Sequence, residues 1–443
     1  MRRSEEKRGE VRRSEQNEQL RAANKPNELA LAYHARYTGK IELSLKAPVT
    51  SYHDFAIWYT PGVAEPSRAI HQSPERVYDY TNKGNFVAIV TDGTRVLGLG
   101  DVGPEAALPV MEGKAMLFKY LGGVDAFPLC IATKDPDEII KLVKAVAPTF
   151  GGINLEDIES PKCYELLDRL RAELQLPVWH DDQQGTALVI LAGLLNALKV
   201  VGKRLDEVTV SLIGAGAANI NVAKYLHLAG ARWAQMIMVD RGGILSTARA
   251  DLQGEPKKWA ICEKTNPEGR SGGIPEAMRD TDVCIALSTP GPGVIRKEWV
   301  ARMADEAIVF AAANPIPEIW PWEALEAGAR IVATGRSDFP NQINNSLGFP
   351  AVFRGALDVR ASSITDEMCI AAAYAIAGYA EERGLSAAAI IPTMDEREMY
   401  VREAIAVGTK AIEQGIAQRA LSEAALEEVV RARLLGAAAS KSF

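Results

Sequence analysis

Residues 208–219 read VTVSLIGAGAAN. A β-branched run over 208–213 leads into Gly214-Ala215-Gly216-Ala217-Ala218-Asn219, and a helical pattern follows over 217–229. Strand, glycine turn and helix in that order are the context a dinucleotide fingerprint requires. Gly214 permits the tight turn. Gly216 lets the backbone approach a pyrophosphate, which the helix N-terminus then stabilises. Gly214, Ala215, Gly216 and Ala217 are therefore the candidate nucleotide contacts. Asn219 stands where a third glycine is usual, so helix and strand must pack differently there. Asp240 closes the next β run, where a carboxylate usually bonds the ribose 2′-hydroxyl of NAD. Arg241 beside it suits the 2′-phosphate of NADP. Asp240 could equally cap a turn, so the choice between the two cofactors stays open.

Alternation of β and helical patterns continues through 283–287, 307–312 and 330–333. It predicts a doubly wound, Rossmann-type nucleotide-binding domain over 183–345. Upstream, β runs at 85–90 and 125–131 alternate with helical stretches at 113–121, 135–147 and 161–174. This predicts a separate α/β domain over 26–182 with a parallel sheet covered on both faces. Residues 346–443 are alanine-rich and helical, and are expected to pack back on the first domain. Residues 1–25 are rich in arginine and glutamate and read as a charged, disordered arm.

Two acidic clusters lie in the first of these domains. FGGINLEDI (150–158) ends in Glu156 and Asp157, and PVWHDDQQGT (177–186) holds Asp181 and Asp182. Each follows a short β run. If the two runs are parallel neighbours, three or four carboxylates meet at one sheet edge, where they repel unless a hard divalent cation sits among them. Glu156, Asp157 and Asp182 are the expected ligands. An all-oxygen set selects Mg²⁺ or Mn²⁺ over zinc. His180 adjoins the second cluster and reads as a packed neighbour, outside the ligand set.

Composition narrows the alternatives. The chain has 443 residues, a net charge of −7 and a pI near 5.5, which disfavour nucleic acid as a partner. Five scattered cysteines with no CxxC pair argue for reduced thiols in a cytoplasmic protein. No run of about 18 apolar residues suggests a membrane span, and no signal-peptide region is visible at the N-terminus. Tyr59 and Lys114, taken alone, read as a packed tyrosine and a surface lysine.

Several longer segments change that reading. YTPGVAEP (59–66), TDGTRVLGLGDVGPEAALPVMEGKAMLFK (91–119), PTFGGINLEDI (148–158), HDDQQGTA (180–187), GAGAAN (214–219), ANPIPEI (313–319) and ATGRSDFPNQINNSLGFP (333–350) together resemble the short bacterial and archaeal malic enzymes. The resemblance covers about residues 30–400. It implies oxidative decarboxylation of L-malate to pyruvate and CO₂, with NAD or NADP reduced and Mg²⁺ or Mn²⁺ required. It makes Lys114 the base at the malate C2 hydroxyl, with a pKa lowered for that role. Tyr59 becomes the acid that protonates C3 after CO₂ leaves. Glu156, Asp157 and Asp182 become metal ligands with Asp181 behind them, and the metal is expected to chelate the malate hydroxyl and carboxylate. Arg95 and Asn345 become substrate contacts, and Asn314 lies near the nicotinamide. Gln184 departs from the histidine this subgroup often carries. A homodimer or larger homo-oligomer is expected. The long C-terminal acyltransferase-like extension of some relatives is not matched, so regulation through it is not expected.

Overall fold

The computed structural model describes Pro26 and residues 28–439, with side chains to 435. The charged arm expected over 1–25 lies outside the described residues. The chain divides into two compact units, one ending at Ser44 and one beginning at Leu45. In the first, the backbone is helical over 28–37, and the Tyr33 and Tyr37 rings lie 6.4 Å apart.

The second unit holds two sheets. The smaller runs β2-β1-β3-β4 and is wholly parallel: β1 is Phe86–Thr91, β2 Asp125–Cys130, β3 Gly152–Leu155 and β4 Val178–His180. The larger runs β10-β9-β8-β5-β6-β7. Its strands are β5 (Val210–Ile213), β6 (Met236–Asp240), β7 (Gly243–Ile244), β8 (Val283–Ala286), β9 (Ile308–Ala311) and β10 (Ile331–Thr334). All pair in parallel except the two-residue β7. This is the doubly wound order, with its crevice between β5 and β8, where the strand order reverses. The expected α/β architecture is present. Strands β1, β3, β5, β8, β9 and β10 are buried nearly throughout because helices cover both sides, as a parallel sheet requires, whereas the edge strand β2 is half-exposed.

One local expectation needs correction. The helix expected over 113–121 runs from Pro104 to Gly122 and ends on left-handed Gly123, whose N–H bonds the Lys119 and Phe118 carbonyls. Pro104 occupies its first turn, where no N–H is needed, and Pro109 sits inside it. Two prolines and Gly113 hide its start from sequence patterns. Asp181 and Asp182 directly follow β4, as expected. They open a π-helical turn, Asp181–Gly185, that runs into the helix Thr186–Val201. Wide turns of this kind often accompany functional sites.

Asp181–Val201 is, among the described residues, the one helix long and apolar enough to cross a membrane, with mean hydropathy 1.6. Most of it, 72% of its apolar window, is buried inside the protein. It belongs to the central apolar cluster that also takes in Val87 and Trp179 from the small sheet, Val210 and Phe310 from the large one, and Phe349 and Phe353 from the tail. The tail forms helices Phe349–Asp358, Asp366–Glu382, Arg397–Glu413 and Glu423–Ala439. It packs back on the first sheet's layer: the Phe118 ring lies 4.6 Å from Phe349 and 5.3 Å from Phe353. Buried Asn196 anchors it further, donating to the Ala377 and Ile390 carbonyls.

Candidate active site

Strands β3 and β4 pair in register, with Leu155 opposite His180. The residues that follow, Glu156 and Asp181, therefore leave the same edge side by side. Glu156 donates its N–H to the Val90 carbonyl. Asp157 turns into the left-handed region at φ 54°, which aspartate tolerates better than most residues, and its N–H bonds the Asp182 carboxylate at 2.9 Å. Glu156, Asp157 and Asp182 offer oxygens that all lie within 4.8 Å of one another. Asp157 Oδ2 is buried without a hydrogen-bond partner. A compact all-oxygen cluster with an orphaned buried oxygen suits a hard divalent cation. Burial, then the neighbouring charge of Asp182, pushes the Asp157 carboxyl up to about 8. Burial likewise raises Glu156, against the pull of Lys114.

Lys114 comes from the helix Pro104–Gly122 and is itself buried. Its ammonium contacts Asp181 closely, lies 2.9 Å from Glu156 and sits 4.1 Å from the Phe349 ring centroid. The lowered pKa expected for Lys114 is not what this arrangement produces. Burial alone would lower it, but Asp181 and Glu156 outweigh burial and hold it above the ordinary lysine range. Two residues with no sequence signal set the carboxylates. Asn154 donates to Glu156 at 2.8 Å, and Trp179 Nε1 donates to Asp181 at 3.1 Å. Gly185 is required behind them, because a Cβ there would run into the Asp181 carboxylate. His180 is fully buried, with both ring nitrogens unpartnered and Nδ1 3.7 Å from Asp182. Burial lowers its pKa and keeps it neutral, so this contact is not an ion pair. Gln184 accepts the His180 N–H and donates to the Cys369 sulfur, a packing role.

Arg95 lies on an exposed loop fastened to the cluster, its N–H donating to the Asp157 carbonyl at 2.9 Å. Buried Asp92 supports that loop by accepting from Thr94 and contacting Lys162. Asn345 begins a short 3-10 turn against Gly185; a Cβ on that glycine would sit 3.3 Å from the Asn345 Cβ. Asn314 precedes cis-Pro315 and abuts Gly335, where a Cβ would meet its side-chain nitrogen at 2.6 Å. Tyr59 stands apart. Its side chain is 70% exposed and its hydroxyl makes no hydrogen bond among the described residues.

The glycine turn lies at the crevice. Gly214 has φ 100°, and a Cβ there would be 2.6 Å from the Leu287 carbonyl oxygen, so only glycine fits. A Cβ on Gly216 would meet nothing within 4 Å, which leaves this backbone open to a ligand. Ala215 and Ala217 complete the turn. Asn219 explains the missing third glycine: its amide donates to the Ile213 and Gly214 carbonyls at 2.9 and 2.8 Å and locks the turn. Asp240 ends β6 but is already engaged. It accepts from Gly242 N–H and Arg249 at 2.8 Å each, with Lys258 3.6 Å away, and these partners lower its pKa against burial. Arg241 is exposed.

Comparison with known proteins identifies this arrangement. Residues 183–412 match the family described as "Malic enzyme, NAD binding domain", and residues 38–135 and 132–171 match "Malic enzyme, N-terminal domain". The chain is 49% identical to the bifunctional malic/malolactic enzyme of Bacillus subtilis over 88% of this chain and 94% of that protein. It is 51% identical to the NAD-dependent malic enzyme of Geobacillus stearothermophilus over 86% and 78%, and 42% identical to the NADP-dependent malic enzyme of Halomonas elongata over 88% and 94%. The Entamoeba histolytica malic enzyme superposes with a TM-score of 0.93 at 47% identity, covering 96% of this chain and 90% of that one. The Pyrococcus horikoshii enzyme gives 0.85 at 53%, covering 90% and 92%. Two matched domains, a shared fold and identities near one half over most of each chain lead to one conclusion: the chain belongs to the malic enzyme family, an oxidoreductase family whose named members use NAD or NADP.

Proposed function

We propose that the protein converts L-malate to pyruvate and CO₂ with reduction of NAD or NADP, in a reaction that requires Mg²⁺ or Mn²⁺. The observation that carries the metal requirement is the three-carboxylate cluster beside buried Lys114. Glu156, Asp157 and Asp182 would hold the cation, and the turn Gly214–Ala217 with Asn314 would hold the nucleotide. When bound, the cation supplies Lewis acidity and offsets the carboxylate charge that raises Lys114, and the nucleotide supplies the hydride acceptor.

This chain's own residues do the rest. Arg95 binds a malate carboxylate, to which its planar fork is matched, and Asn345 orients the substrate. Lys114 takes the proton from the C2 hydroxyl as C2 is oxidised. Asp181, in contact with the Lys114 ammonium, keeps it aimed. The C3–C4 bond then breaks, CO₂ leaves, and Tyr59 donates a proton to C3. The role of Tyr59 rests on the motif YTPGVAEP, and its exposed hydroxyl is consistent with meeting a substrate.

The reading includes a homodimer or larger assembly, supported by exposed Tyr52, Ile57, Trp58 and Leu99. It includes a cytoplasmic location, supported by five free cysteines. Nucleic acid and membrane have no part in it. Both nucleotides remain in the reading, because Asp240 is charge-balanced by Arg249 and Lys258 while Arg241 is exposed. The test is absorbance at 340 nm with L-malate and Mn²⁺, run with NAD⁺ and with NADP⁺, with EDTA controls and pyruvate measured. Reduction without pyruvate, or reduction indifferent to EDTA, would overturn it.

A further inference from the structure

Glu318 lies in the motif ANPIPEI (313–319), outside the residues that would hold cation, nucleotide or substrate. It is fully buried, yet no cation faces it through a hydrogen bond or ion pair among the described residues. Its carboxylate instead gathers donors from two loops. Oε1 accepts the Ser288 N–H at 2.8 Å and the Ser288 hydroxyl at 3.1 Å, and Oε2 accepts the Ala313 N–H at 3.1 Å. The backbone continues the clamp. The Glu318 carbonyl accepts from Gly293 and Ile295, and the Ile316 carbonyl accepts from Gly291. Loops after β8 and β9 thus become one body, joined through one buried carboxylate and three backbone hydrogen bonds.

Each loop touches a different half of the site. The β8 loop backs the nucleotide turn, since a Cβ on Gly214 would lie 2.6 Å from the Leu287 oxygen and 3.3 Å from the Ser288 Cβ. The β9 loop carries Asn314 and cis-Pro315. Against these sits Gly98, three residues along from Arg95; a Cβ there would lie 2.9 Å from Pro290, 3.1 Å from the Asn314 oxygen and 3.3 Å from Pro315. The nucleotide turn and the arginine loop therefore rest on the same clamped pair.

We infer that Glu318 is a positioning residue whose carboxylate joins the β8 and β9 loops, and so sets the nucleotide turn and the Arg95 loop in a fixed relation. A carboxylate suits three converging donors because both oxygens accept. Glutamine keeps one acceptor and turns its NH₂ against a donor, leaving a buried N–H unpaired. The inference rests on the proposed function for what the two loops hold.

The test uses the full chain with Mn²⁺ present, comparing wild type, Glu318→Gln and Ser288→Ala. NADH and NADPH affinity is read by fluorescence titration, malate and nucleotide KM against kcat by steady-state assay, and Mn²⁺ affinity by calorimetry. Glu318→Gln is expected to weaken nucleotide binding and raise both KM values about tenfold, with kcat at saturation within about threefold and Mn²⁺ affinity unchanged. Ser288→Ala, which removes only the hydroxyl bond, is expected to weaken nucleotide binding about two- to threefold. A folded Glu318→Gln chain with wild-type affinities overturns the inference. So does parallel loss of nucleotide and Mn²⁺ affinity, the mark of a merely structural role. If Glu318→Gln does not fold, unchanged nucleotide affinity in Ser288→Ala overturns it. Wild type that binds neither NADH nor NADPH would overturn the proposed function as well, whereas a normal wild type with an indifferent Glu318→Gln overturns this inference alone.

Discussion

Mn²⁺ binding should expel protons from the carboxylate cluster, and the number should depend on pH in a way the structure specifies. Burial and the Asp182 charge push Asp157 up to about 8. At pH 7 about nine in ten Asp157 side chains then carry a proton, and at pH 9 about one in ten. A cation can bind only the ionised group, so binding at pH 7 should release about one proton from Asp157, with a further contribution from Glu156, which burial also raises. Apparent Mn²⁺ affinity should strengthen by about tenfold per pH unit between pH 6 and 8, then level off. The assay is calorimetric titration of EDTA-stripped, dialysed protein in pairs of buffers with different ionisation enthalpies, at pH 6, 7, 8 and 9. Affinity that does not change across that range, with no proton released at pH 7, would refute the reasoning.

The same shift makes a linked statement about stability. A carboxyl raised from 3.8 to about 8 contributes stability that is fully present below 3.8 and is lost as pH rises through about 8. The whole difference is about 6 kcal/mol. Cation-free protein should therefore melt progressively lower than its Asp157→Asn variant as pH climbs from 5 to 8. Mn²⁺ should restore the wild type at pH 8.

Further expectations concern single residues. Lys114→Ala should reduce malate-dependent nucleotide reduction by at least about a hundredfold while NADH binding persists, because it removes the buried amine beside Asp181 and Glu156; near-wild-type turnover at saturating malate would exclude Lys114 as the base. Tyr59→Phe should spare reduction of oxaloacetate to malate more than overall conversion to pyruvate, and equal loss of both would remove the acid-only role. Phe118→Ala should destabilise the fold by about 3–5 kcal/mol, since the ring is fully buried against Phe349 and Phe353. Thermal melts check this, and a loss below about 1 kcal/mol would show that the tail helix is not anchored there.

Much of the fold was legible because its signals are local. Parallel strands covered on both faces leave continuous apolar runs, and these mark β1, β5, β8 and β9 in the linear chain. The turn at Gly214 announced itself because a positive φ and a 2.6 Å approach to Leu287 allow only glycine. The clusters at 156–157 and 181–182 were legible as acidic pairs after strands. The helix from Pro104 reads short in sequence because proline is a helix breaker in the interior, yet Pro104 occupies the first turn, where no N–H is needed, and exposed Pro109 is accommodated within the helix.

By itself, then, the sequence determined the order of strands and helices, the nucleotide turn and the identity of the carboxylates, since each depends on neighbours within a few residues. Tertiary structure alone decided that β3 and β4 are adjacent, which brings Glu156, Asp157 and Asp182 within 4.8 Å of one another. It decided that, without a cation, Asp181 and Glu156 hold Lys114 above the ordinary lysine range rather than below it. It also decided that Asp240 is shared with Arg249, that Tyr59 stands exposed, and that Glu318 binds two loops. Charge interactions and burial depend on distance in space, and residues 25 to 67 positions apart in the chain carry no mark of becoming neighbours until the sheet closes.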